Sequence, residues 1–243
     1  MVHVIIPVFN KQGELERNVR AVHEFLGRRL EEVHEIILCD DGSRDASPDI
    51  AARLAASLPR IRALGYARNM GRGYAVKFAG RTCRGENILF IDLDFPETTA
   101  LEKLLDMVAR LESRPVVIGS RFHALSKTRR FRWRRFVGGS YRRLVRMFFP
   151  GLGVSDPDTG FKGFQRPAFE AINRVSRMNR WPWDLEVLVI ARARGLAVTE
   201  IPVDWIETHG RHATSVKILR DSLEELAGIL KIRWNLFRGI YRT

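Results

Sequence analysis

The sequence predicts an α/β protein built on a mostly parallel sheet with helices on both faces. Two patterns carry that expectation. Short apolar runs ("VHVIIPV", "EIILC", "IRALGY", "NILFID", "PVVIGS") alternate with stretches whose apolar residues fall at helical spacing. Strands alternating with helices pair in parallel through crossovers. Polar residues also stand directly after the apolar runs: Asn10, Asp40 and Asp41, Asp92 and Asp94, and Arg121. Ligands of such sheets bind beyond the carboxyl ends of the strands, so these side chains are expected along one edge.

Taken in order, "VHVIIPV" is a strand ending at Pro7, and "GELERNVRAVHEFLGRRL" is a helix burying Leu15, Val19, Val22 and Leu26. "EIILC" is a buried strand that runs into the turn "DDGS". "SPDIAARLAASL" opens a helix with Ser47 as N-cap and Pro48 at the first helical position. "IRALGY" is a weaker strand, "GYAVKFAGRTC" a helix, "NILFID" a strand, "TTALEKLLDMVARLES" a helix and "PVVIGS" a strand. The pattern then changes to an arginine-rich segment with interleaved aromatics, 122–150, followed by the loop "GLGVSDPDTGFKGF". A helix starting at Pro167, a helix in "DLEVLVIARARG", a strand in "LAVTEIPVDW" and an amphipathic helix from about Val216 to Phe237 complete the chain. No repeat or low-complexity linker interrupts it, so one continuous domain over 1–243 is expected.

The balance of 41 basic against 28 acidic residues gives a formal charge of +13 and calls for an anionic partner: nucleic acid, a phosphorylated small molecule or a membrane face. Two cysteines with no ligand spacing suggest a reducing compartment. "MVHVIIPVFN" is too short and strand-like for a signal peptide, and no apolar stretch is long enough to span a bilayer. The protein is therefore expected to be soluble or to lie on a membrane without crossing it.

Three constellations carry chemistry. Asp92 and Asp94 lie two apart at a strand end and share a face; they can share a divalent cation with phosphate and water oxygens, or they can be a solvated turn. In "LCDDGSRD", a carboxylate can accept hydrogen bonds from a nucleobase or ribose, or it can build an Asx turn. "NMGRGYAVKFAG" lacks the third glycine of a dinucleotide fingerprint and the Gly-Lys-Ser/Thr of a phosphate loop. Its Gly71 and Gly73 could approach a phosphate at a helix start or simply make the turn.

In order and spacing, "IPVFN", "CDDGSRD", "NMGRGYAVKFAG", "DLDFPE", "GSR", "DPDTGFKGF" and "WPWDLEVLVIA" resemble the family 2 glycosyltransferases of GT-A fold, from Val4 to about Arg233. The later stretches, with "EIPVDWIE", resemble most the dolichyl- or polyprenyl-phosphate sugar synthases, of mannose or β-glucosyl type. The resemblance implies that 1–121 binds nucleotide and 122–243, with its amphipathic helices, binds acceptor. It implies that Pro7, Phe9, Cys39, Asp41 and Gly71 line the nucleotide-sugar site, and that Asp92, Leu93 and Asp94 form the metal motif for Mg²⁺ or Mn²⁺, with Asp94 the direct ligand. Arg121, Arg134, Arg135 and Lys162 would serve the acceptor or its phosphate, and Asp94, Arg121 and Arg135 the chemistry. Asp156 joins Lys162 in the "DPDTGFK" loop. Departures from the family are Lys11 and Pro96, where acidic residues are usual, and "HGRHATSVK", where His209, Arg211 or Lys217 could serve the closing loop.

The implied reaction is inverting, metal-dependent transfer of a hexose from UDP-glucose or GDP-mannose to a polyprenyl or dolichyl monophosphate. The partners are the nucleotide sugar, the lipid phosphate and a membrane surface, with no nucleic acid; the expected location is cytoplasmic, peripheral on the cytoplasmic face of a membrane, or recruited there by a separate membrane subunit. On this reading the aromatics Phe131, Trp133, Phe136, Phe148 and Phe149 dip into acyl chains while arginines meet headgroups; a solvated helix with its aromatics in the core is the bland alternative. The rival functions are a family 2 transferase with a non-lipid glycan acceptor and, on charge alone, an RNA-binding protein.

Overall fold

Successive side chains of a strand point to opposite faces of a sheet, so a strand that is apolar throughout needs cover on both sides. β1 (Val2–Val8), β2 (His34–Asp40) and β4 (Asn87–Ile91) each carry an unbroken apolar run, at 4–8, 36–39 and 88–91, with His3, His34, Glu35, Asp40 and Asn87 as the polar exceptions. A computed structural model describes residues 1–30, 34–129, 132–206 and 218–242, with the side chains of 129, 132–137 and 218–221 outside the description. In it these strands join β3 (Ile61–Gly65), β5 (Val116–Ser120), β7 (Phe161–Gln165) and β8 (Val198–Pro202) in one sheet of order β3-β2-β1-β4-β7-β5-β8. All pairings are parallel except those of β7, which runs antiparallel to both β4 and β5.

The faces divide by residue parity. Val4, Ile6, Ile36 and Leu38 meet α1 (Leu15–Arg29), α2 (Ser47–Ser57) and α5 (Glu102–Leu111) on one side. Ile5, Ile37, Cys39 and Phe90 meet α3 (Arg72–Gly80), α7 (Arg166–Val175) and α8 (Trp183–Ala193) on the other. That second face is completed by α6 (Arg132–Phe148) and α9 (Ile218–Phe237). A two-stranded parallel ladder, β6 (Thr128–Arg129) with β9 (Trp205–Ile206), flanks the sheet.

Several sequence expectations need correction. The expected loop 151–164 ends in a central strand, because β7 takes the place between β4 and β5. The expected helix over 98–113 divides into α4 (Phe95–Thr98), with Pro96 in its first turn, and α5. Ser47 begins α2 instead of capping it, and its Oγ accepts the Lys11 N–H at 2.8 Å, which fastens the loop after β1. Val216, the expected start of the last helix, lies outside the described residues.

Phe149 is only 5% exposed and belongs to the core, and Phe148 packs partly against the same cluster, so this end of α6 does not offer a pair of free aromatics. Phe131 and the side chains of Trp133 and Phe136 lie outside the described residues.

Candidate active site

Because β4 and β5 both run antiparallel to β7, the ends of β1, β2, β4 and β5 and the start of β7 open on one edge. Asn10, Asp40, Asp41, Asp92, Asp94 and Arg121 follow those strand ends, as the sequence predicts.

At the β2 end the two aspartates divide the work. Asp41 accepts the Met70 N–H at 2.7 Å, the Tyr66 hydroxyl at 2.8 Å, and Asn69 Nδ2 and the Gly71 N–H at 2.9 Å each. It therefore holds the 66–71 loop. Burial raises its carboxyl pKa against these bonds, which lower it. Gly71 is at φ +101°, a region that favours glycine, and its N–H points to Asp41. Gly73, the other candidate for a phosphate contact, packs against Trp183. Asp40 Oδ2 accepts the Ser43 N–H at 3.0 Å and pins the turn, while its Oδ1 is buried without a protein donor. Pro7 and Phe9 border this end, Phe9 being 38% exposed; the Cys39 side chain is in the core, where burial pushes its thiol up to about 12.

At the β4 end Asp92 and Asp94 are both partly exposed and Leu93 is buried between them. Burial, and then the charge of Asp92, hold the Asp94 carboxyl up at about 6; Lys11 opposes the shift. Asp92 takes both oxygens to Arg72 Nη1, at 2.9 and 3.1 Å. The Asp92 N–H donates to the Gly160 carbonyl at 2.9 Å, and a Cβ at Gly160 would lie 1.8 Å from Asp92 Oδ2. The "DPDTG" stretch is therefore glycine-ended because the Asp92 carboxylate occupies the space of a side chain. Gly160→Ala is expected to push Asp92 aside and lower kcat about a hundredfold, the scale for ångström misplacement of a reacting group, with little change in melting temperature. Steady-state kinetics beside thermal melting tests this; normal kcat would dissociate Asp92 from the reaction.

Three charged residues that the sequence left without a role complete the cluster. The Arg72 guanidinium bridges Asp92 and Asp184, with Asp158 Oδ1 3.9 Å away and the Trp181 ring centroid 4.3 Å away. Burial alone would lower its pKa, but Asp184, Asp92 and Asp158 outweigh burial and raise it. Asp158 is held up at about 6, first by burial and then by Asp184. The signals available in sequence were an arginine between two glycines at a helix start and an aspartate in "WPWDLE", but nothing local joins positions 112 residues apart.

Lys162 is fully buried with Asp184, and its ammonium also meets the Thr159 carbonyl. Arg121 forks onto Asp156 at 2.7 and 2.8 Å and donates to the Asp158 carbonyl at 3.1 Å. Burial would raise the Asp156 carboxyl pKa, but the charge and hydrogen bonds of Arg121, with the charge of Lys162, outweigh it and lower it. Arg134 and Arg135 fall on α6 with their side chains outside the described residues, and His209, Arg211 and Lys217 lie outside them altogether.

Among the described residues no group of three or more His, Cys, Asp or Glu forms a metal cage. The two hard-oxygen donors Asp92 and Asp94, with Asp94 kept high by burial and then by its neighbour's charge, fit a divalent ion whose shell is completed by water and phosphate oxygens.

The family model for "Glycosyl transferase family 2" matches residues 3–172. The chain is 36% identical over 97% of its length to glycosyltransferase AglD of Haloferax volcanii, of which it spans 37%. It is 31% identical over 96% of its length to dolichyl-phosphate beta-glucosyltransferase ALG5C of Trichomonas vaginalis, of which it spans 68%. Glucosyl-3-phosphoglycerate synthase from Mycobacterium tuberculosis, solved with Mn²⁺, UDP-glucose and phosphoglyceric acid, superposes with a TM-score of 0.70 at 18% identity, over 96% of this chain and 79% of that one. That likeness is one of fold, the GT-A fold.

Proposed function

The chain belongs to glycosyltransferase family 2, and from that premise we propose that it transfers glucose, with inversion, from UDP-glucose to a polyprenyl or dolichyl monophosphate at a membrane surface. The observation that carries the reading is the Asp92–Asp94 pair at the sheet's open edge, with Asp40 Oδ1 free of a protein donor on the neighbouring strand end. Glucose is preferred over mannose because dolichyl-phosphate glucosyltransferases are among the relatives and a fold neighbour binds UDP-glucose.

In this reading Asp40 Oδ1 accepts from the base or ribose, and Phe9 borders the ring. Asp92 and Asp94 hold Mg²⁺ or Mn²⁺, which when bound offsets the charge that builds on the departing diphosphate. Arg72 orients Asp92. The new bond joins an acceptor phosphate oxygen to the anomeric carbon as the bond from that carbon to the diphosphate breaks on the opposite face. A phosphate is already anionic at neutral pH, so positioning and charge compensation suffice without a strong base. Arg121, with Arg134 and Arg135, is assigned to the acceptor phosphate. Because Asp156 already occupies the Arg121 fork, Arg121 contributes its charge and remaining N–H.

The test is purified protein with Mg²⁺ or Mn²⁺, UDP-glucose or GDP-mannose, and polyprenyl phosphate, with lipid-linked sugar as the readout. Product from UDP-glucose is expected. Product from GDP-mannose alone would reassign the donor. No product from either, with no calorimetric binding of UDP or GDP, would sink the reading.

A further inference from the structure

α9 is apolar on two opposite sides. On its inner side Ile229 and Ile232 are buried, with Leu236 packed against the same core. On its outer side Leu223, Leu226, Leu230, Trp234 and Phe237 recur at intervals of three and four residues. They are 66, 40, 51, 58 and 79% exposed, respectively. Trp234 and Phe237 stack with centroids 5.9 Å apart. A helix that serves only its own domain keeps one apolar stripe toward the core. Five large apolar side chains in one exposed row mark a contact surface.

The charges around the row are arranged by sign. At about 100° per residue, Arg233 stands on one rim and Lys231 and Arg238 on the other, all three exposed. Of the described carboxylates of α9, Glu224 stands beside Lys231 at the edge of that second rim and faces Arg180, 3.9 Å away. Glu225 is partly buried, and its carboxyl is held up at about 9 by burial and then by Asp158 and Asp184. The outer row is thus apolar at its centre and net basic at both rims, Glu224 being the one described carboxylate near it, faced by Arg180.

We propose that the outer face of α9 docks on an anionic lipid bilayer, with Leu223, Leu226, Leu230, Trp234 and Phe237 among the acyl chains and Arg233, Lys231 and Arg238 at the headgroups. Charge decides between this occupant and a second copy of the chain. A two-fold contact would set the same basic rims against each other in a protein of formal charge +13, whereas an anionic surface neutralises them. The inner face of the same helix carries Glu225 toward Asp158 and Asp184, so one helix, about 10 Å thick, separates the bilayer from the carboxylate cluster. The inference deepens the lipid-acceptor reading and shares its premise of a membrane-borne acceptor, but it is tested without donor or acceptor.

The experiment is co-sedimentation with phosphatidylcholine vesicles, with and without phosphatidylglycerol, at low and high salt. Wild type is expected to bind the phosphatidylglycerol vesicles and to lose binding as salt rises. Trp234→Ser with Phe237→Ser is expected to cut partition ~10-fold or more, with unchanged melting temperature and unchanged UDP affinity by calorimetry. Equal partition of variant and wild type overturns the proposal, as does wild type that ignores anionic vesicles. A wild-type dimer in sedimentation equilibrium that the double variant abolishes also overturns it, in favour of a second copy. Vesicle binding by a protein that binds no UDP would leave the proposal standing and remove the transferase reading instead.

Discussion

Asp94→Ala is expected to lower kcat roughly 1,000-fold while leaving the fold intact. Loss of a metal ligand at a departing diphosphate forfeits several kcal/mol of charge stabilisation, and each ~1.4 kcal/mol is tenfold in rate. The fold has little to lose. Asp94 precedes α4 without a side-chain capping bond, and Thr98 Oγ1 bonds its carbonyl, which alanine keeps. Burial and Asp92 both disfavour the charged Asp94 carboxylate, so its removal relieves repulsion. The melting temperature measured without metal is expected to stay level or rise. Chelation of the wild type should reproduce the kinetic loss, and chelated enzyme with full activity would refute the metal role. An Asp94→Ala protein that melted early would mean instead that the carboxylate is structural.

Lys162→Met carries the largest expected effect on stability and separates two readings of one residue. The family resemblance assigns Lys162 to the acceptor phosphate, but the structure buries it completely with Asp184, also fully buried. Removing one partner of such a pair leaves an uncompensated charge and typically costs about 3–5 kcal/mol. Arg72 still faces Asp184, which favours the lower end. At about 2–4 °C per kcal/mol for a chain of this size, the melting temperature should fall by roughly 6–12 °C. Lys162→Met with Asp184→Asn should cost less than the two single changes added together, because the lost interaction is shared. A Lys162→Met protein of normal melting temperature whose only defect is a raised acceptor KM would restore the phosphate-binding role.

The order of elements in the first half was legible in the sequence because most strands there hold an unbroken apolar run, the weaker β3 with its Arg62 excepted, and they alternate with stretches of helical spacing. β7 was not legible. "FKGFQ" contains a lysine and a glycine, and only the sheet explains both: Lys162 answers a buried carboxylate on α8, and Gly163 clears Met107 and Leu111. The membrane contact was sought in Phe131, Trp133, Phe136, Phe148 and Phe149 of the arginine-rich segment, of which the first three have side chains outside the described residues. Phe149 packs in the core, and the exposed row lies on α9, where the sequence does not say which apolar residues the core takes.

Periodicity, turn chemistry and the Asp-x-Asp spacing are local signals, and they were enough to read off the fold class, the open edge and the residues at each strand end. What each charge does depended on long-range packing. It committed Asp41 to a loop, Arg121 to Asp156 and Lys162 to Asp184, left Asp40 Oδ1 without a protein partner, and brought Arg72 onto Asp92. A charge's role depends on which opposite charges and which depth of burial surround it, and those neighbours come from strands and helices far apart in the chain.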